Sequence, residues 1–163
     1  MSLFKLKDWW STTLGHGEQF SGGGLAAGII DNSGKPRIVS GSLQGWLRVH
    51  NPLMPNRTED STKSLLLEVR LDAPIYQLKV GRAHAIAVLH PSKLRVCTCS
   101  ARTNQGSSIE TSHLELTTQY IHDFEVKNIG THAFSMCLGS FGGSTDRDMI
   151  LVQHMDGVTI YDY

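Results

Sequence analysis

The stretch "MILVQHMDGVTIYD", residues 149–162, sets how the rest of the chain reads. Met149, Ile150, Leu151 and Val152 form a short apolar run. Gln153 to Gly157 break it, and Val158, Thr159, Ile160 and Tyr161 alternate again. An apolar run, a turn and a second β-branched run are the signature of a β-hairpin. The same pattern stands at "RIVSGSLQGWLRVH" (37–50) and "AIAVLHPSKLRVCT" (85–98). Laid over one another, the three hairpins bring Ile38, Ile86 and Ile150 into register. The first has one extra residue near its turn, and inserted loops lengthen the second interval.

Further strand signals flank these hairpins. "GLAAGIID" (24–31) precedes the first and "SLLLEVRL" (64–71) follows it. "IYQLKVGR" (75–82) and "HLELTTQY" (113–120) bracket the second, and "AFSMCLGSF" (133–141) opens the third. Polar loops at 51–63 and 101–112 separate strands, and no amphipathic pattern of helix length interrupts them. Residues 1–23, with Phe4, Trp9 and Trp10, read as an arm or a single helical turn packed by its aromatics.

Four short strands repeated in about 40 to 50 residues mark a propeller blade. The expected fold is therefore all-β, a partial WD40-like β-propeller. It comprises an N-terminal arm (1–23), a blade (24–71), a second blade (75–122) and an incomplete blade (133–163). Propellers close with about 4 to 8 blades, so two blades and part of a third read as the N-terminal part of a larger ring. Such an arc exposes an unpaired edge and an apolar face. Alone, it is expected to be poorly stable or to self-associate. The competing architecture, a complete β-sandwich of about eleven strands, is disfavoured by the cyclic pattern.

Composition narrows the function classes. The 163 residues are 40% hydrophobic and 18% charged, which is globular and not disordered. Lys+Arg and Asp+Glu balance at 15 each, so no net field draws the chain to nucleic acid or anionic lipid. The opening "MSLFKLKDWWSTTLG" lacks the apolar run and cleavage site of a secretory signal. Cys97, Cys99 and Cys137 are odd in number and read as reduced thiols of a cytosolic protein. Cys97 and Cys99 read as two small apolar residues on one strand face.

The candidates for chemistry are few. Eight histidines, His16, His50, His84, His90, His113, His122, His132 and His154, lack the paired spacing of a zinc site and read as loop or strand-end residues. "DNSG" (31–34) resembles the start of a calcium loop, but Lys35 stands where a carboxylate is needed. "STDRD" (144–148), with Asp146 and Asp148, is a similar polar turn. "SGGG" (21–24) lacks the lysine and helix of a phosphate loop. No nucleophile elbow occurs. "GSFGG" reads structurally: Gly139, Gly142 and Gly143 permit positive φ and close backbone approach, where a bulky residue would clash. Trp9, Trp10 and Trp46 offer stacking surfaces but read first as core or clamp residues. No catalytic, cofactor or metal residue is assigned, and partner-binding residues are not legible.

Several segments together carry a resemblance: "MSLFK" with "DWWST", "IVSGSLQGWLRVHNP", "LLLEV", "AVLHPSKLRV", and "GSFGG" followed by "RDMILVQHMDG". They resemble the start of the Bardet–Biedl syndrome protein nine family, also called parathyroid-hormone-responsive, over nearly all of residues 1–163. The opening decapeptide and the "SFGG…RD…QHMDG" block are its most specific parts. The resemblance implies an N-terminal β-propeller followed by an appendage-like β domain, a platform and helices. It implies a non-catalytic scaffold subunit of the BBSome, a coat-like adaptor that moves membrane proteins into and out of cilia. Implied partners are other BBSome subunits, including a tetratricopeptide-repeat subunit. Membrane association would be indirect, through the complex and an Arf-like small GTPase, with no nucleic acid and no cofactor. The implied locations are cytoplasm, cilium, basal body and centriolar satellites, with the peripheral ciliary membrane reached as part of the complex. Another intracellular propeller adaptor and a calcium-binding or hydrolytic propeller are the competing readings.

Overall fold

The computed structural model describes residues 10–52, 64–102, 113–124, 132–143 and 145–163. Their strands form three antiparallel sheets built one after another along the chain. The first holds β1 (Leu25–Ile29), β2 (Pro36–Gly41), β3 (Trp46–His50) and β4 (Leu65–Arg70), in that spatial order. The second holds β5 (Gln77–Val80), β6 (Ala85–Leu89), β7 (Lys93–Arg102) and β8 (His113–Asp123). The third holds β9 (Ala133–Gly139), β10 (Met149–His154) and β11 (Val158–Tyr161). Three consecutive meanders, stacked face to face, make a partial propeller-like arrangement.

Alternating side chains explain why each sheet needs its neighbours. In the first sheet Val39 faces Val49, and Gly41 faces Leu47, so one face is continuously apolar. That face meets Leu78, Ile86, Val88, Cys97 and Leu114 of the second sheet, and together they form one core cluster. The opposite face of the second sheet presents Ala85, Ala87, Leu89, Leu94 and Val96. It packs against Met136, Ile150 and Val152 of the third. The second sheet is thus buried on both sides, and all five residues of β6 are buried.

The first strand of each sheet lies innermost, with β1 against β5 and β5 against β9. The approach of β1 to β5 is close enough to require a glycine. A Cβ at Gly28 would stand 2.6 Å from Val80 Cγ1. The turn of the first hairpin lies between β2 and β3, with Gly45 at φ +87°.

Several expectations need adjustment. β8 runs to Asp123, three residues past its expected end, because Ile121, His122 and Asp123 pair with Arg95, Leu94 and Lys93. β9 ends at Gly139, short of Phe141. Gly142 and Gly143 do take positive φ, at 63° and 85°, but nothing lies within 4 Å of a Cβ built on either. Their requirement is conformational, and the expected clash is absent. Gly139 has no positive φ; a Cβ there would meet only the movable Phe141 ring, at 3.2 Å. Residues 10–20 form no helical turn. Trp9, Phe4 and most of the loops at 51–63 and 101–112 lie outside the described residues.

Candidate functional site

The entries to β1, β5 and β9 converge at one end of the axis between the sheets. Ser21, Gly23, Leu43, Tyr76, Gln77 and Phe134 line a cleft there of about 570 Å³. Gln77 holds the three sheets in register. Its backbone forms a parallel bridge with Gly23, and Leu78 N–H donates to the Gly23 carbonyl at 3.0 Å. Its side-chain Oε1 accepts the Met136 N–H at 2.6 Å. The Ser21 hydroxyl donates to the Tyr76 carbonyl, tying the incoming chain to β5. Two aromatics stay open at the rim: Tyr76 is 38% exposed and Phe134 57%. Among the described residues the lining offers rings, hydroxyls and amides, and no carboxylate, imidazole, amine or thiol. Its chemistry is stacking and hydrogen bonding, as in a recognition surface.

The central position of Gln77 gives a direct expectation. Gln77→Ala removes the acceptor of the N–H of buried Met136 and should cost about 1–3 kcal/mol, read as a lowered urea midpoint. Gln77→Glu keeps an acceptor oxygen and should avoid most of that loss.

The residues singled out in the sequence do not gather at this cleft, with one exception. "SGGG" forms its entrance, where Gly24 N–H donates to the Ser21 carbonyl at 3.1 Å. Trp10 lies instead on the outer face of the first sheet, its ring centre 5.9 Å from that of His50. The guanidinium groups of Arg48 and Arg70 lie over the Trp46 ring, 5.4 and 5.9 Å from its centre. Asp31 closes its own turn: Oδ1 accepts Ser33 N–H at 2.8 Å, and Oδ2 pairs with Arg37 Nε at 3.4 Å. Asp148 accepts the Arg82 N–H at 2.8 Å. Among the described residues no group of three His, Cys, Asp or Glu stands close enough to hold a metal ion. Cys97 and Cys99 are buried in the core, where burial raises both thiols, Cys99 to about 12. Cys137 is exposed.

The histidines divide by environment. His16 and His132 are exposed, and His84 Nδ1 approaches the Ile29 carbonyl at 3.1 Å. His122 and His154 join Tyr120, Phe124 and Tyr161 in an aromatic cluster beside the second and third sheets. His50 and His90 are buried at the ends of β3 and β6. Burial, reinforced by Arg48, holds the His50 imidazole below its ordinary value against the pull of Glu68. Burial does the same to His90, against its bond to the Pro74 carbonyl.

Both histidines therefore gain a proton later in the folded than in the unfolded chain. The unfolded chain binds those protons first as pH falls through about 6.5, so stability is complete above that value and declines below it. Each can contribute at most about 1.4 kcal/mol per pH unit. Thermal midpoints should drop on going from pH 7.5 to 5.5, and His90→Gln should flatten that slope.

The mouth residues Tyr76, Gln77 and Phe134 were not found by motif. The available signal was the cycle itself: once the repeats are aligned, the first residues of each inner strand must meet at the axis.

Comparison with known proteins adds a lineage. A family model described as PTHB1 N-terminal matches residues 1–162. Protein PTHB1 of Homo sapiens is 39% identical over 168 residues, covering 97% of this chain and 18% of the human protein. Protein PTHB1 of Xenopus laevis is 38% identical over 171 residues, covering 99% of this chain and 19% of that protein. The chain thus spans about a fifth of the length of these relatives. These names correct the one under which the resemblance was given. The matched family and proteins are named PTHB1 and not Bardet–Biedl syndrome protein nine, of which PTHB1 is a synonym.

Proposed function

The chain belongs to the PTHB1 N-terminal family, and on that premise we propose that it serves as a non-catalytic scaffold, a protein-interaction platform within the BBSome. In this reading the complex, a coat-like adaptor for membrane proteins travelling to and from cilia, contacts the chain through the axial mouth. The observation that supports it is the open pair Tyr76 and Phe134, held by a rigid three-sheet stitch over a cleft whose described lining has no carboxylate, imidazole, amine or thiol. Exposed aromatics on a preorganised rim lose little side-chain freedom on binding, which is what a partner surface needs. The partners in this reading are the other BBSome subunits, among them a tetratricopeptide-repeat subunit. Membranes are reached through an Arf-like small GTPase and not by the chain itself.

The test is affinity purification of the tagged chain from ciliated cells, beside a Tyr76→Ser/Phe134→Ser double variant. Recovery of BBSome subunits by the parent, reduced at least about 10-fold in the variant, is expected from the loss of two aromatic anchors. Recovery of unrelated intracellular proteins without BBSome subunits would assign the chain to another adaptor. Equal recovery by parent and variant would move the contact away from the mouth.

A further inference from the structure

The second sheet has all four of its strands, and the first and third sheets pack on its two faces. Its outermost strand, β8, runs for 11 residues and among the described residues pairs only with β7. Phe124, just past the end of β8, donates its N–H to the Ser92 carbonyl at 2.8 Å, toward β7. Backbone groups alternate in direction along an antiparallel strand. His122 and Tyr120 therefore also face β7, whereas Ile121 and Asp123 turn their N–H and C=O groups away from it. Lys93 has the matching phase. It stands opposite Asp123 in the ladder, and its carbonyl accepts His90 N–H at 2.9 Å on the β6 side.

A long edge is a template for another strand, and proteins ordinarily blunt it with Lys, Pro or a very short strand. β8 contains no Lys, Arg or Pro. Its one irregularity, opposite Val96 and Cys97, leaves Tyr120 to Asp123 in regular register. The two faces of that regular stretch differ. On one, the rings of Tyr120 and His122 lie parallel with centres 6.2 Å apart and form an apolar shelf. On the other, Ile121 is 48% exposed and Asp123 is exposed. Lys93 and Arg95 stand opposite Asp123 and Ile121 on this face, and both bind Asp72. The two cations are nearly buried, whereas the Asp72 side chain is 60% exposed. The charges that point outward beside the edge are therefore acidic.

We propose that β8 takes an extended segment of another protein as a fifth strand of the second sheet, and that this segment alternates basic and apolar residues. The outward N–H and C=O groups of Ile121 and Asp123 supply main-chain hydrogen bonds to it, which give affinity. Successive side chains of the added strand fall on opposite faces. Its apolar residues lie along the Tyr120–His122 shelf, and its basic residues meet Asp123 and Asp72, which gives selectivity. This edge lies at the outer rim, away from the axial mouth, and does not depend on a contact there.

Two fluorescent octapeptides test this by anisotropy against the purified chain, one alternating lysine with valine and the other glutamate with valine. The lysine peptide is expected to bind at least about 10-fold more tightly than the glutamate peptide. Hydrogen exchange at Ile121 and Asp123 should slow when it is bound. Ile121→Pro removes an outward donor and no bond to β7, a place where an edge strand accepts proline. It should weaken the lysine peptide at least about 10-fold while circular dichroism stays unchanged. Asp123→Lys leaves the backbone intact and should narrow or reverse the preference between the peptides. Tyr76→Ser/Phe134→Ser should leave peptide binding unchanged, which separates this edge from the mouth. No binding of the lysine peptide, equal binding of both peptides, or binding indifferent to Ile121→Pro and Asp123→Lys would each overturn the proposal.

Discussion

Gly45→Ala should leave the protein largely unfolded under conditions where the parent is folded. Gly45 sits at φ +87°, a conformation that L residues occupy at a cost. Space is equally short: a Cβ there would stand 2.7 Å from the Leu71 carbonyl oxygen and 3.0 Å from that of Ala73. Both neighbours are backbone and cannot swing aside. The Gly45 carbonyl also accepts Leu71 N–H at 2.8 Å, so a shift of the turn breaks its tie to the segment that leads from β4 to β5. Strain and overpacking together should cost about 3 kcal/mol or more. Urea unfolding of Gly45→Ala and Gly45→Asn separates the two causes. Asn tolerates positive φ, so a milder Asn variant would indicate strain, and equal losses would indicate the clash.

The second large effect is expected at Arg48. Its guanidinium binds Glu18 through two bonds and Glu68 Oε2 through Nε at 2.5 Å. The side chains of Arg48 and Glu18 are each only 9% exposed. The hydrogen bond from Arg48 is the main reason that the Glu18 carboxyl ionises below its ordinary value. Arg48→Met keeps the apolar stem and strands the Glu18 charge. A stability loss of about 3 kcal/mol follows from breaking a buried pair on one side, moderated by the 42% exposure of Glu68. In the parent, this part of the stability is present above the ordinary Glu value of 4.5 and is lost as pH falls through the lower folded value. Arg48→Met should therefore be less acid-sensitive than the parent below pH 4.5. An unchanged acid limb would show that the pair contributes nothing to folding.

Local pattern carried the fold into the sequence. The hairpins at 37–50, 85–98 and 149–162 are visible because Ile, Val and Leu alternate around Gly, Pro or Asp turns. What the sequence hid was whatever depends on distant partners. The end of β8 carries His122 and Asp123, polar residues whose place is set by Leu94 and Lys93 across the ladder. The Arg48–Glu18 pair spans two segments with no common motif. His50 and His90 read as loop or strand-end residues; His50 ends β3 and His90 follows β6, but both are buried. The mouth is assembled from three separate cycles, so no single window holds it.

The strict order of strands within each sheet bears on how the chain is made. Among the described residues every sheet is a meander of neighbours, β1 to β4 and then β5 to β8, with no strand borrowed from later in the chain. Local pairing of this kind closes short loops first, which lowers contact order and speeds formation. During synthesis the first sheet can fold once Arg70 has cleared the ribosome, before β5 exists. The links between sheets, such as Gln77 to Met136 and Arg82 to Asp148, wait for later residues, so each sheet emerges onto a template that is already formed. Vectorial emergence would then discourage pairing between the wrong strands, a hazard for a chain whose three hairpins are so nearly interchangeable.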